Sequence, residues 1–152
     1  MKPPAKAHGG ADTYGQAETW PWPDSLDAVV SVPPTWPWPD SLDAVTAAPK
    51  WHKILLENEH VRVVETIIEP GEKEPAHTHG WRGVVIPVRP ARIRYYDEND
   101  KLIFETRRDF QPPPNPIARW REPEGLHSVE NVGDRPHHVI RIELKPSAKP
   151  VA

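Results

Sequence analysis

The chain has 152 residues, a mass of 17.3 kDa and a formal net charge of −3 at pH 7. This length suits one compact domain with an appendage. The net charge is slightly negative and the sequence has no basic stripe, which argues against nucleic acid or an anionic membrane as a partner. No apolar run approaches the roughly 20 residues of a transmembrane helix, and residues 1–10 lack the apolar centre of a signal peptide. Cysteine is absent, which excludes disulfides and thiolate ligands. We therefore expect a cytoplasmic protein.

The N-terminal third is unusual because it contains an exact repeat. Residues 1–18 are small and polar, and we expect them to be disordered. The segment Thr19–Val29 then recurs unchanged as Thr35–Val45, with a period of 16 residues, so that residues 19–34 and 35–50 form a duplicated Trp-Pro arm. Either the duplication leaves one copy redundant, or both copies act, as a proline-rich ligand or as an arm exchanged between subunits. We expect four residues of the second copy to pack against the following domain: Trp36, Trp38, Leu42 and Val45.

From residue 51 the sequence changes to short apolar runs separated by turns. The chain contains 21 prolines, which disfavour long helices and central strand positions. Runs rich in β-branched residues predict strands at 52–56, 61–68, 83–88, 91–96, 101–105, 117–121, 127–131 and 138–145. Many short strands with regular turns indicate an all-β sandwich or barrel over residues 51–146, followed by a tail at 147–152.

The strongest chemical signal is His77-Thr78-His79, placed in a predicted strand. Alternate side chains of a strand point to the same face, so His77 and His79 project together, with Cα atoms roughly 6.5 Å apart. A third imidazole from another strand, such as His127, would complete a set that holds one divalent metal ion and leaves coordination positions open. The pattern therefore predicts a metal site inside a small β-barrel.

Two motifs resemble those of the cupin superfamily. Gly71 is followed after five residues by His77-Thr78-His79, as in the first cupin motif. Pro123-Glu124-Gly125-Leu126-His127-Ser128-Val129-Glu130-Asn131 follows the second motif, with one residue fewer between the glycine and the histidine. The resemblance covers roughly residues 50–145 and implies a double-stranded β-helix, or jelly-roll barrel. The glutamate of the first motif falls at Gly83 or Val84, so that ligand is missing.

The loss of that glutamate implies a neutral metal set of His77, His79 and His127. This pattern is similar to that of cupin dioxygenases that hold Fe(II) with three histidines. The resemblance favours a mononuclear non-haem Fe(II) dioxygenase acting on a small chelating anion. Two alternatives stay open: a lyase, isomerase or hydrolase that uses Zn, Ni or Mn as a Lewis acid, and a cupin that binds a small molecule without turnover.

The remaining expectations concern the substrate and the other histidines. Strand alternation and residue chemistry suggest five substrate-binding candidates, with arginine suited to a carboxylate: Trp81, Gly83, Trp120, Arg94 and Arg141. We expect His52, His60, His137 and His138 to be solvated. The predicted partner is a small-molecule substrate, without nucleic acid or membrane, and a homodimer is possible by analogy.

Overall fold

The computed structural model describes residues 36–146, and the expectations for residues 1–18, the first repeat copy and the tail at 147–152 lie outside this range. The described chain begins with a 3-10 helix at Asp40–Leu42 and a short helix, α1, at Ala44–Ala47. Nine strands follow: β1 His52–Glu57, β2 Val61–Ile68, β3 His77–His79, β4 Gly83–Arg89, β5 Ile93–Tyr96, β6 Leu102–Glu105, β7 Arg119–Arg121, β8 Glu124–Asn131 and β9 His137–Leu144. No helix within residues 36–146 is long and apolar enough to cross a membrane.

The strands form two antiparallel sheets. One sheet has five strands in the order β1-β2-β9-β4-β7, and the other has four in the order β3-β8-β5-β6. Apart from the hairpins β1-β2 and β5-β6, paired strands come from distant parts of the chain, as when His77 of β3 pairs with His127 of β8. This pairing places His77 of the first motif beside His127 of the second motif on adjacent strands. The all-β expectation is therefore confirmed, with most predicted strands shifted by one to three residues at their ends.

Alternation along the strands separates a buried face from an exposed one. In β9 the burial alternates regularly from His137 to Glu143, and in β5 Ile93 and Tyr95 are buried while Arg94 is not. The apolar core between the sheets is a single cluster formed by Ile68, Val85, Ile93, Tyr95, Ile117, Val129 and Val139. Five of these residues also line the cavity that the buried histidines share: Ile68, Val85, Tyr95, Val129 and Val139.

The second repeat copy lies against the barrel. Asp43 caps α1, because its side chain accepts a hydrogen bond from the Val45 N–H at 3.2 Å. Thr78, between the two motif histidines, forms a parallel bridge with Asp43, and its hydroxyl donates to the Leu42 carbonyl at 3.2 Å. The arm is thus attached directly beside β3.

Candidate metal centre

A cavity of about 50 Å³ lies between the two sheets and is lined by histidines from several strands. The ring centroids of His77 and His79 are 5.0 Å apart, and that of His127 lies 4.6 Å from His77 and 5.4 Å from His79. His52 of β1 joins them, with its ring centroid 4.6 Å from that of His77. We call His52, His77, His79 and His127 the histidine cluster. The structure therefore brings the three predicted ligands together and adds a fourth imidazole.

The histidine cluster is oriented by acceptors at the Nδ1 atoms. Nδ1 of His52 lies 3.1 Å from the Ala48 carbonyl, that of His77 lies 2.8 Å from the Pro75 carbonyl, and that of His127 lies 2.6 Å from the Gly125 carbonyl. A carbonyl oxygen can only accept, so each Nδ1 carries the proton. The neutral ring then keeps its Nε2 lone pair for a metal, which is the usual arrangement of metal-ligating histidines.

His79 is oriented in the same way by a carboxylate. Its Nδ1 lies 3.4 Å from Oε1 of Glu143, which is almost fully buried. The other oxygen of Glu143 accepts from Nε of Arg62 at 2.5 Å, and Arg62 also binds both carboxylate oxygens of Asp43, at 3.0 and 2.8 Å. This ion-pair chain links the arm to a histidine of the cluster.

Two further carboxylates contribute oxygen atoms to the cavity. The oxygens of Glu74 lie 3.6 Å from Nε2 of both His52 and His77. Glu124 lies 3.9 Å from Nε2 of His127 and accepts a hydrogen bond from Arg141 at 3.0 Å. Ligand atoms of two sets come within 4.8 Å of one another: His52, His77 and His79, and His79, Glu124 and His127. His79 belongs to both sets.

The electrostatics of the cavity keep the imidazoles neutral. Burial lowers the pKa of His52 to about 4 and that of His77 and His79 well below the ordinary value, and the positive charge of Arg141 acts in the same direction on all three. Burial, together with the charge of Glu124, raises the pKa of Glu74 well above its usual range. Burial also opposes ionisation of Glu124, but the positive charges of Arg141 and Arg121 outweigh it and lower the Glu124 pKa. Neutral imidazoles are the form that binds a metal.

Two of the histidines predicted to be solvated are buried in this cavity. His52 is 3% exposed, because the first residue of β1 points inward beneath Ala48. His137 is 2% exposed, and its Nδ1 accepts a hydrogen bond from the Ala91 N–H at 3.0 Å. The expectation was wrong for both because each follows a turn or arm in sequence but begins a strand whose first side chain faces the core. His60 is exposed, and His138 is partly exposed and pairs with Glu65.

Of the five predicted substrate-binding residues, only Arg141 lines the cavity. Trp81 lies in the break between β3 and β4, where strand alternation does not apply, and its ring stacks under the Arg62 guanidinium at 4.8 Å. Arg94 faces outward and pairs with Glu105 at 3.3 Å. Trp120 is 49% exposed and donates to Glu122 at 2.9 Å.

Gly83 has a different role from the predicted one. It lies in β4 opposite Glu143 of β9, and a Cβ atom there would overlap the backbone carbonyl of Ile142. The residue therefore permits close approach of two strands and does not make room for a substrate.

The carboxylates of the site were missed by the sequence reasoning. Glu74 lies three residues before His77 in a segment outside the strands, where its N–H donates to the Val129 carbonyl at 3.0 Å. Glu124 lies within the second motif but begins β8 as a buried residue. Each glutamate lies three residues before a motif histidine, so the two-residue alternation of a strand does not place it on the same face as that histidine. The sequence offered only one signal for them, an acidic residue inside each motif.

Comparison with known proteins identifies the fold. No family profile and no curated protein matches the sequence. Among solved structures, a cupin domain from Bordetella pertussis Tohama I matches with a TM-score of 0.51 and 21% identity, over 62% of this chain and 92% of that one. An RmlC-like cupin family protein from Methanocaldococcus jannaschii matches with a TM-score of 0.44 and 13% identity, over 61% and 77% of the two chains. The two antiparallel sheets and the first of these matches show the double-stranded β-helix fold of the cupins, and the histidine-rich cavity suggests a divalent metal.

Proposed function

We propose that this chain is a metal-binding cupin that uses mononuclear Fe(II) for dioxygenase chemistry on a small chelating anion. The observation that carries the proposal is the common orientation of the histidine cluster. All four rings have Nδ1 beside an acceptor, and all four line one buried cavity. Structural histidines need no such shared arrangement, whereas metal ligands do.

The residues present fit a divalent cation. His77, His79 and His127 would hold it, while the Glu74 carboxylate and the His52 imidazole lie beside them as alternative donors, so that positions for a substrate stay open. Oε2 of Glu74 is buried and has no hydrogen-bond partner among residues 36–146. A buried carboxylate oxygen without a partner is costly. A cation held by the Nε2 atoms would stabilise the negative charge on this oxygen and would therefore lower the Glu74 pKa.

The donor set supports iron among several metals. Imidazole nitrogens suit Fe, Zn, Ni and Cu, and a set of histidines with one carboxylate and open positions is typical of non-haem Fe(II) oxygenases. Zn, Ni and Mn are the alternatives, and each would serve as a Lewis acid in a lyase, isomerase or hydrolase. When bound, the metal supplies activation of dioxygen or polarisation of the substrate.

The residues around the donors would control what reacts. Ile68, Val85, Val129 and Val139 form apolar walls that exclude water. Tyr95 stacks on His127 with ring centroids 4.9 Å apart and fixes that imidazole in the plane of its Gly125 hydrogen bond. Arg141 places a guanidinium at the cavity wall, where it would attract an anionic substrate. A cavity of about 50 Å³ admits only a small substrate.

The test measures metal content and oxygen consumption of protein purified without a metal-affinity tag. We expect about one iron per chain, lost in His79→Ala, because His79 belongs to both possible ligand sets. The matched control is His60→Ala, whose side chain is 78% exposed and which should keep its iron. Oxygen uptake is then measured with thiol acids, β-diketones and hydroxy acids.

The outcomes separate the alternatives. Iron-dependent oxygen uptake that His79→Ala abolishes and His60→Ala retains supports the dioxygenase. Stoichiometric zinc, nickel or manganese without oxygen uptake would contradict the dioxygenase and favour Lewis-acid chemistry. No metal uptake by the unmodified chain, even after reconstitution, would overturn the metal-binding proposal itself.

A further inference from the structure

Residues 36–45 of the second repeat copy lie on a defined surface of the barrel. The Trp36 ring packs on Gly80, where a Cβ atom would lie 3.6 Å from its edge, and a Cβ atom at Gly125 would overlap the ring of Trp38. The two indoles also contact each other, with centroids 4.8 Å apart. We call the surface formed by Arg62, Thr78, Gly80 and Gly125 the arm groove. Its two glycines leave the space that the indoles fill.

The polar contacts of the arm groove come from the same short segment. Asp43 binds Arg62 through both carboxylate oxygens, at 3.0 and 2.8 Å, and the Leu42 carbonyl accepts from Thr78 at 3.2 Å. Burial opposes the charged form of Arg62, but its hydrogen bonds to Asp43 and Glu143 raise its pKa. A bidentate pair of this kind is geometrically specific.

Each of these contacts involves a residue that the first copy also possesses. Residues 19–29 have the same sequence as residues 35–45, so Trp20, Trp22, Leu26 and Asp27 correspond to Trp36, Trp38, Leu42 and Asp43. The arm groove therefore cannot distinguish the two copies by the contacts described above. It distinguishes them only by how each copy is connected to β1.

We propose that the first copy, residues 19–29, is a second intramolecular occupant of the arm groove and docks there when the second copy leaves. The inference does not depend on the proposed function, because it concerns the arm and the barrel surface alone. It also gives the exact repeat a role: the chain carries two interchangeable segments for one docking site.

The shorter connection to β1 makes the second copy the main occupant of the arm groove in the unmodified chain. Six residues, 46–51, join the second copy to His52, whereas 22 residues, 30–51, would join the first. Loop-closure entropy disfavours the longer connection by roughly sevenfold. The exchanged state is thus a minor one in the unmodified chain, and it becomes dominant when the second copy is weakened.

The experiment compares the thermal midpoints of three full-length variants, each without added metal. Trp38→Ala removes an anchor from the second copy, Trp22→Ala removes the matching anchor from the first, and the third variant carries both changes. We expect Trp22→Ala to leave the midpoint unchanged. Trp38→Ala should lower it by no more than roughly 5 °C, since the first copy replaces the second at about a sevenfold cost. The double variant should fall at least twice as far.

Equal midpoints for Trp38→Ala and the double variant would overturn the proposal, because the first copy would then give no rescue. If the double variant fails to fold while Trp38→Ala folds, the rescue is supported, and the milder Trp22→Phe and Trp38→Phe changes measure its size. The scans are repeated over a roughly hundredfold range of protein concentration. A rescue that grows with concentration would show that the occupant comes from a second chain, as in a dimer, and would overturn the intramolecular assignment.

Discussion

His137 and the histidine cluster line the same cavity and are buried to a similar degree, yet their hydrogen bonds run in opposite directions. In the cluster, Nδ1 of each ring lies beside an oxygen that can only accept, so Nδ1 carries the proton. Nδ1 of His137 instead faces the Ala91 N–H, which can only donate. His137 in its neutral form therefore carries its proton on Nε2, the atom that the cluster offers to a metal.

This difference shows that burial and proximity do not by themselves make a histidine a ligand. The backbone partner selects the tautomer, and the tautomer decides whether a ring presents a lone pair or a proton. His137 is a hydrogen-bond donor at the cavity wall, and the cluster is a set of nitrogen acceptors. A cavity with both can hold a cation and offer a hydrogen bond from the His137 Nε2–H.

The largest expected effect is a difference in metal affinity between a variant of the histidine cluster and a variant of His137. His127→Phe should lower the affinity for iron or zinc by more than about 100-fold, beyond the usual loss from an outer-shell change. His137→Phe should change the affinity by less than about threefold, because the neutral ring has no lone pair at Nε2. Competition with a chromophoric chelator at pH 7 measures both. Similar losses in the two variants would show that the tautomer does not separate the two kinds of histidine.

A smaller effect should follow from changing an acceptor while keeping every imidazole. Glu143→Gln weakens the partner of the His79 Nδ1 and should lower metal affinity by about tenfold or more. The control is Glu65→Gln at the partly exposed His138, where the Nε2 atom and the carboxylate are 2.9 Å apart. That pair lies outside the cavity, so the control should keep its affinity. Equal affinities for all three proteins would mean that Glu143 does not orient a ligand.

Much of this arrangement was predictable from local sequence. Val61–Ile68 carries enough β-branched residues to be placed as a strand with its exact ends. The spacing of His77 and His79 and the second motif at His127 indicated which residues would meet. The cupin resemblance then predicted the double-stranded β-helix, which the solved structures bear out.

The rest depended on long-range pairing. His52 is separated from His77 by a whole hairpin, and only the docking of Ala48 turns its ring inward. Glu74 precedes β3 in an irregular segment, so no period relates its side chain to His77. Trp81 was placed by strand alternation across a boundary where the strand in fact stops. These errors share a cause: alternation describes one strand, and the site is built from several.

A further effect concerns the stability of the metal-free protein in acid. Burial lowers the pKa of His137 to about 3, whereas an unfolded histidine titrates near 6.5. Below pH 6.5 the unfolded chain binds the extra proton first, so the stability contributed by His137 is present above this pH and is lost as the pH falls towards 3. At pH 5 the loss should be about 2 kcal/mol.

Urea unfolding of metal-free protein at pH 7 and pH 5 tests this contribution. Between the two values the unmodified protein should lose about 2 kcal/mol more free energy of unfolding than His137→Phe, which has no proton to gain at that position. The histidine cluster contributes equally to both proteins and cancels in the difference. His60→Phe, changed at an exposed histidine, should behave as the unmodified chain does. An identical acid loss in His137→Phe would show that His137 is already protonated in the folded state, and its assignment as the neutral Nε2 donor would fail.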